Sequence, residues 1–234
     1  MFAHRGGSAL APENTMAAFD NGLALGADGL ELDVHLSSDG AVVVHHDCTL
    51  DRTTTLTGPI AARTAAELSR AHVPLLKDVL TRHAGVRIII ELKVNHPGLA
   101  QRTIDVVRRA DAVDRVCLGS FGLRVLRAAR AIEPAIATSG AREEVRWALY
   151  RSWCRWPVKR VGYQGYQVPE WAGSTRVVSP RFVRDAHASG LAVQVWTVDD
   201  EADARRLLSY GVDALITDRP DTIVPLVRAW AGDR

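Results

Sequence analysis

The sequence predicts a (β/α)₈ barrel, and three observations lead to that fold class. Its 234 residues are close to the roughly 250 that are typical of one such barrel. Strand-like apolar runs alternate with segments of helical period, which indicates a parallel sheet with crossover helices. Candidate catalytic side chains follow several well-separated strands, and neither a GxGxxG nor a Walker loop marks a doubly wound sheet. We therefore expect residues 1–234 to form a single barrel domain.

The strands are predicted from short apolar and β-branched runs that turn residues separate. The first strand is short, because only three residues precede His4. A continuous apolar run such as residues 88–90 predicts a strand buried on both faces, which suits a barrel and a doubly wound sheet equally well. Further strands are expected at residues 29–34, 41–45, 87–92, 115–119, 135–138, 161–168, 191–197 and 214–217.

Helices are expected between these strands, where apolar residues recur at helical spacing. Their positions are residues 15–25, 75–83, 98–110, 123–132, 143–153, 180–189, 200–210 and 221–230. Residues 47–74 break the alternation, because they are rich in threonine and turn residues and contain one short helical stretch, at residues 65–70. We expect a small insertion here, after the second barrel strand and over one end of the barrel.

Composition and charge exclude several classes of protein. Hydrophobic residues make up 47% of the chain, which is enough for a large core, so a mainly disordered protein is excluded. The 29 basic and 27 acidic residues nearly balance, which argues against nucleic acid as a partner and leaves a small anionic substrate open. Cys48, Cys117 and Cys154 are too far apart for a disulfide framework or a CxxC metal site. No run could span a bilayer and the N-terminus has no apolar signal region, so we expect a cytoplasmic protein.

Ionisable side chains are paired at the ends of two predicted strands. Glu31 and Asp33 lie two residues apart, so they point to the same side of their strand. Glu91 and Lys93 repeat this spacing on another strand. Either pair alone could be an interior ion pair, because buried charge is costly unless it is compensated. Together they bring three carboxylates to one mouth with one local lysine, and oxygen ligands of this kind favour Mg²⁺ or Ca²⁺ over Zn²⁺.

Histidines follow two strands at the same predicted face. His4 ends the first strand, and His45 and His46 close the strand at residues 41–45. One histidine at a strand end is more often structural, but two beside three acids can accept and donate the protons that phosphodiester hydrolysis moves. Because neighbours on a strand point to opposite faces, only one of His45 and His46 can reach the phosphate. Arg5 could bind a phosphate oxygen, and the glycines after it let the backbone approach.

An ordered set of motifs, spread over nearly the whole chain, resembles the glycerophosphodiester phosphodiesterase family in order and approximate spacing. The first motif alone would be a weak signal, but the ordered set is very specific. The motifs are His4-Arg5-Gly6-Gly7, Pro12-Glu13-Asn14-Thr15, Glu31-Leu32-Asp33-Val34-His35-Leu36, Asp39-Gly40, Val43-Val44-His45-His46-Asp47, Leu50-Asp51-Arg52-Thr53-Thr54, Glu91-Leu92-Lys93, Ser120-Phe121, Trp196-Thr197-Val198 and Gly211-Val212-Asp213-Ala214-Leu215-Ile216-Thr217-Asp218-Arg219-Pro220.

The resemblance implies a TIM-barrel enzyme that hydrolyses glycerophosphodiesters to glycerol 3-phosphate and an alcohol, with a divalent metal. It implies that the glycerol 2-hydroxyl attacks the phosphorus and that water then opens the cyclic phosphate. It also places the family's small inserted subdomain at residues 47–74. The residues that match family positions are His4 and His46 as acid and base, Glu31, Asp33 and Glu91 as metal ligands, Arg5 and Lys93 as phosphate-binding residues, Trp196 as an aromatic of the substrate pocket, and Asn14 as support for a ligand or water.

Two other functions stay open at this point. A phosphodiesterase acting on lysophospholipids or another lipid diester would need a large apolar groove or a membrane-binding surface. A non-catalytic phosphoglycerol-binding module would need the pocket without its acid and base, whereas both His4 and His46 are present. Three basic residues follow Trp153 up to residue 160, fewer than the cluster of about four to eight that binds anionic lipid. We therefore expect little membrane binding, no stable insertion and a water-soluble, small-molecule glycerophosphodiester as the substrate.

Overall fold

Eight parallel strands form a nearly closed barrel in the computed structural model, which describes residues 1–154, 156 and 161–232. In chain order the strands are β1 (Phe2–His4), β2 (Gly29–Leu36), β3 (Val42–Val44), β4 (Arg87–Leu92), β5 (Val116–Gly119), β6 (Ala137–Thr138), β7 (Gly165–Pro169), β8 (Trp171–Ala172), β9 (Thr175–Arg176), β10 (Ala192–Trp196) and β11 (Ala214–Thr217). The barrel order is β6-β5-β4-β2-β1-β11-β10-β7. A single parallel bridge between Ser139 and Gly165 joins the β6 and β7 ends of this path. The predicted fold class is confirmed.

Helices connect the barrel strands. They are α1 (Met16–Ala24), α2 (Ala65–Arg70), α3 (Leu76–Arg82), α4 (Pro97–Arg109), α5 (Leu123–Ile132), α6 (Arg142–Cys154), α7 (Pro180–His187), α8 (Glu201–Ser209) and α9 (Pro220–Gly232), with 3₁₀ turns at Ile60–Ala62 and Val113–Arg115. Capping residues fix several starts, because the side chains of Thr15, Ser179 and Asp200 accept hydrogen bonds from the first turns of α1, α7 and α8. None of the helices in the described part of the chain is long and apolar enough to cross a membrane.

The strand β3 differs from the expectation of strictly alternating parallel strands. It pairs antiparallel with β2, in the register Val34 to Val44. The reason is the short connection, since a parallel crossover needs about a dozen residues or more and residues 37–41 can only form a tight turn. In that turn Ser37 donates its backbone N–H to the carbonyl of Ala41 over 2.9 Å, and Gly40 adopts a φ of 78° that other residues rarely take.

Residues 47–74 pack as a layer on β3. The strand alternates its side chains between two clusters, because Val42 and Val44 join the barrel core whereas Val43 faces the inserted segment. Buried residues of the segment complete a small cluster of their own: Leu50, Ile60, Leu68 and Val73. The segment is thereby anchored at the mouth of the barrel, next to the end of β2.

The helix α6 and the hairpin of β8 and β9 flank the opposite side of the mouth. On α6 the side chains of Trp147, Tyr150 and Trp153 are each more than half exposed. The basic stretch at residues 151–160 continues from this helix. Arg155 and residues 157–160 lie outside the described residues, whereas Trp156 is described and exposed.

Candidate active site

A cavity of about 690 Å³ opens at the C-terminal ends of the barrel strands, where barrel enzymes place their active sites. The sequence predicts nine site residues, and eight of them line this cavity: His4, Arg5, Glu31, Asp33, His46, Glu91, Lys93 and Trp196. The ninth, Asn14, is buried against Asp33. The fold therefore brings all nine to one mouth.

Three carboxylates form the deepest part of this mouth. Glu31 and Asp33 point inward from β2, and the parallel register of β2 and β4 sets Asp33 opposite Glu91. Each of the three offers an oxygen within 4.8 Å of the others. Because only 5% of Glu31 and 1% of Asp33 is exposed, water compensates little of this charge.

Burial and mutual repulsion disfavour the charged forms of two of these carboxyl groups. Burial, followed by the charge of Asp33, raises the pKa of the Glu31 carboxyl well above its usual range. Burial also raises the pKa of Glu91, against the opposing effect of Lys93. The Lys93 ammonium lies 3.2 Å from Asp33 and 3.4 Å from Glu91. Arg5 also lies 3.5 Å from Asp33, so two basic side chains face the three acids. The all-oxygen donor set of these acids fits Mg²⁺ or Ca²⁺.

The loop after β1 holds the cluster from one side. The backbone N–H of Arg5 donates to Glu31 over 3.1 Å, and the side-chain amide of Asn14 donates to Asp33 over 2.9 Å. Arg5 and Asn14 both adopt a left-handed backbone conformation, with φ of 51° and 57°. The N–H of Asn14 donates to the Arg5 carbonyl over 2.9 Å, so the two positions fix each other. This conformation is uncommon for residues other than glycine and is typical of functional sites.

His4 projects from the end of β1 between two carboxylates. Its Nδ1 donates to Asp218 over 2.7 Å, and its Nε2 lies 3.8 Å from Glu31, so Nε2 faces the cavity side. Burial lowers the pKa of His4, but the Asp218 hydrogen bond and the Glu31 charge outweigh it, so this pKa is raised. Asp218 lies in the last of the sequence motifs, which predicts no individual role for it. The available signal was its position directly after β11, which is a strand end at the same mouth.

His46 lines the cavity from the short connection between β3 and the inserted segment. Its Nδ1 donates to Asp47 over 2.7 Å, in the same arrangement as His4 with Asp218. The backbone carbonyl of His46 accepts a hydrogen bond of 3.1 Å from Nε2 of buried His35. His45 instead turns away, with its Nε2 2.9 Å from the hydroxyl of Thr53, and it does not line the cavity.

A chain of ion pairs joins the two loops that carry these residues. Arg52 donates one hydrogen bond of 2.6 Å to Asp47 and two, of 2.7 and 2.8 Å, to Glu13. Glu13 in turn accepts a hydrogen bond of 3.1 Å from Arg5. Arg52 and Glu13 lie in two of the sequence motifs, but the motifs predict no individual role for either residue. Their pairing across 39 positions is a tertiary contact that no local spacing predicts.

Two aromatic side chains, Trp196 and Phe121, also line the cavity. Trp196, at the end of β10, meets the edge of Phe121 with ring centres 5.9 Å apart. The guanidinium of Arg142 lies 5.1 Å from the centre of the Phe121 ring, on the far side of the mouth. Apolar surface next to a phosphate-binding site suits the carbon skeleton of an organic phosphate ester.

The chain is similar to known proteins over nearly its whole length. The family model described as "Glycerophosphoryl diester phosphodiesterase family" matches residues 4–222. A glycerophosphodiester phosphodiesterase from Caldanaerobacter subterraneus subsp. tengcongensis is 31% identical, over 97% of both chains. The crystal structure of a glycerophosphodiester phosphodiesterase from Agrobacterium tumefaciens superposes with a TM-score of 0.79 at 29% identity, over 95% of this chain and 97% of that one. An Oleispira antarctica phosphodiesterase, solved in complex with the product sn-glycerol-3-phosphate, has a TM-score of 0.78 at 26% identity, over 97% and 96% of the two chains.

Proposed function

Because the chain belongs to the glycerophosphoryl diester phosphodiesterase family, we propose that it hydrolyses glycerophosphodiesters to glycerol 3-phosphate and an alcohol. One observation carries the proposal: two histidines, each with its Nδ1 on a carboxylate, lie at the mouth that holds three further carboxylates. The product bound to the Oleispira antarctica phosphodiesterase supports the same reaction. The names of the relatives favour glycerophosphodiesters over the lipid-diester alternative.

Glu31, Asp33 and Glu91 would hold a divalent cation, either Mg²⁺ or Ca²⁺. When bound, the ion would supply positive charge to the phosphate oxygens, where negative charge develops during the reaction. Lys93 and Arg5 lie beside the same carboxylates and would share this charge. Asn14 holds Asp33 by its amide hydrogen bond, which fixes one of the proposed ligands in orientation.

His4 and His46 would move the protons. A histidine whose Nδ1–H is held by a carboxylate keeps its Nε2 free to accept or donate a proton. In the proposed first step one histidine takes the proton of the glycerol 2-hydroxyl as it attacks, while the other donates a proton to the departing alcohol. In the second step the roles reverse, as water opens the cyclic phosphate and glycerol 3-phosphate forms. Trp196 would contact the glycerol carbons.

We also propose that the chain is organised as a single domain. Residues 1–234 would act as one barrel domain, with residues 47–74 as an inserted segment that begins directly after His46. The described helices include none that could span a membrane, and we propose a cytoplasmic enzyme with a water-soluble substrate.

The direct test follows the phosphate-ester product with EDTA, Mg²⁺ or Ca²⁺. This product is glycerol 3-phosphate from glycerophosphocholine and glycerophosphoethanolamine, and lysophosphatidic acid from lysophosphatidylcholine. We expect release from the two glycerophosphodiesters with a divalent cation and little release in EDTA. Full activity in excess EDTA would remove the metal from the mechanism. Turnover confined to lysophosphatidylcholine would replace the proposed substrate with a lipid diester.

A further inference from the structure

One face of α6 forms the far wall of the cavity. The six α6 side chains that line it recur at helical spacing: Arg142, Val145, Arg146, Leu149, Tyr150 and Trp153. Residues spaced by three and four positions lie on one side of a helix, so this is a continuous stripe and not a scatter of contacts. The wall is apolar along most of its length, with two arginines at the end nearer the start of the helix.

These two arginines are not paired with the acidic side chains of the cavity. Among the described residues neither Arg142 nor Arg146 forms an ion pair, although ion pairs occupy many other arginines of the protein, such as Arg52 and Arg206. The acidic side chains that line the cavity are the three carboxylates of the opposite wall. On α6 itself, Glu144 is held by Arg130 through two hydrogen bonds and does not line the cavity.

The proposed reaction does not need these two arginines to balance the charge of the phosphodiester. A phosphodiester carries a single negative charge, and Arg5 and Lys93 already lie beside the proposed metal ligands. Arg142 is nevertheless part of the mouth, because it stacks on Phe121, which in turn contacts Trp196. The row of Trp196, Phe121 and Arg142 therefore leads from the proposed glycerol position to the α6 wall.

We propose that Arg142 and Arg146 bind a second anionic group, carried by the leaving alcohol of the substrate. The inference rests on the proposed function and names its substrate class: glycerophosphodiesters whose alcohol bears a phosphate. A cationic alcohol such as choline would stand against two guanidinium groups and would be disfavoured by like charge. The cavity of about 690 Å³ lies well within the range of small-molecule sites, so it has room beyond a glycerol phosphate.

The experiment compares kcat/KM for glycerophosphoinositol 4-phosphate, glycerophosphoinositol and glycerophosphocholine. The first two differ by one phosphate on the leaving alcohol. The variants are Arg142→Gln, Arg146→Gln and their combination. Arg127→Gln is the matched control, because Arg127 is an exposed helical arginine of α5 that does not line the cavity. It removes the same net charge from the protein as either single variant.

We expect kcat/KM of the wild-type enzyme to be about tenfold higher for glycerophosphoinositol 4-phosphate than for glycerophosphoinositol. This is the size of effect that two partly exposed charge pairs contribute. The double variant should lose this preference, the control should keep it, and high salt should weaken it. Without turnover, inositol 4-phosphate should bind EDTA-treated wild-type protein more tightly than it binds the double variant, as measured by calorimetry.

Two outcomes would overturn the inference in distinguishable ways. Equal kcat/KM for all three diesters, or a preference for glycerophosphocholine that the variants leave unchanged, would remove the anionic subsite while the proposed function stands. Release of glycerol 3-phosphate from none of the three, with Mg²⁺ or Ca²⁺ present, would overturn the proposed function and the inference with it.

Discussion

The two walls of the mouth hold their charged side chains in different ways. On the β2 and β4 wall, Glu31 and Asp33 are buried and hydrogen-bonded from the loop after β1. On the α6 wall, Arg142 and Arg146 are exposed and form no ion pairs within the described residues. The first wall is fixed before any substrate arrives, and the second presents two exposed guanidinium groups without an acidic partner among the described residues. This difference suggests that the first wall serves the reacting phosphate and the second serves the part of the substrate that varies.

Backbone register explains the rigidity of the first wall. Strand pairing sets Asp33 opposite Glu91, and β1 pairs with β2 so that His4 lies opposite Glu31. If Glu31 or Asp33 changed rotamer, its hydrogen bond from the loop after β1 would break and a buried charge would lose a partner, and both are costly. On the α6 wall, a side chain can change rotamer without either cost. The predictions below test the first wall and the loop that completes it.

The largest effect is expected from Glu91→Gln, which keeps the shape of the side chain and removes one carboxylate of the cluster. Turnover should fall by roughly 10³-fold or more, because charge stabilisation by a bound metal contributes several kcal/mol. The variant should stay folded, since burial already disfavours the charged form of Glu91. The measurement is kcat at saturating Mg²⁺ or Ca²⁺, with Glu143→Gln on α6 as the control. Full activity of Glu91→Gln would show that the first wall holds no metal.

The next effect concerns the two neighbouring histidines at the end of β3. His46→Ala should lose at least ~10²-fold in kcat, the lower end for a general acid or base. His45→Ala should cost far less in kcat, because His45 contacts Thr53 and does not line the cavity. Measuring kcat and unfolding for both variants separates catalysis from folding. The reverse order of the two kcat values would overturn the assignment of His46.

Lys93→Arg tests whether charge alone suffices at the first wall. The ammonium of Lys93 fits between Asp33 and Glu91, at 3.2 and 3.4 Å. Arginine is bulkier and spreads its charge over a planar fork, so it should displace one of these carboxylates. We expect kcat/KM to fall by about tenfold, or about 1.4 kcal/mol in transition-state stabilisation. Wild-type kcat/KM in this variant would show that the compact ammonium is not required.

The sequence was sufficient for the first wall and not for the second. Period-two spacing and strand-end position place Glu31, Asp33 and Glu91 together, because parallel strands end at one mouth. The α6 segment was predicted as a helix, but which of its faces meets the cavity depends on how the helix packs against the barrel. The pairing of His4 with Asp218 spans 214 positions. Such contacts are fixed only by closure of the barrel, so local patterns carry no sign of them.

The antiparallel strand β3 gives the same lesson for the fold. Its valines predict a strand correctly, whereas its direction depends on the length of the connection at residues 37–41. The turn chemistry of Ser37 and Gly40 was present in the sequence and would have predicted a hairpin. Loop length was thus the available signal, and apolar pattern alone could not replace it.

The smallest effect is expected from Arg52→Gln, which breaks the chain of ion pairs between the inserted segment and the loop after β1. Hydrogen bonds from Arg52 lower the pKa of Asp47 and of Glu13 below their usual values. A carboxylate with a lowered pKa stabilises the folded state above its unfolded pKa, and this contribution is lost as the pH falls through the folded pKa. The variant should therefore lose about 1 kcal/mol of unfolding free energy at pH 7, a modest value because Arg52 is about half exposed. The loss should shrink as the pH falls from about 4.5 towards 2, whereas Arg127→Gln should show no such trend. Urea unfolding at pH 7, 4 and 3 measures it, and an equal loss at every pH would mean that Arg52 acts through packing and not through charge.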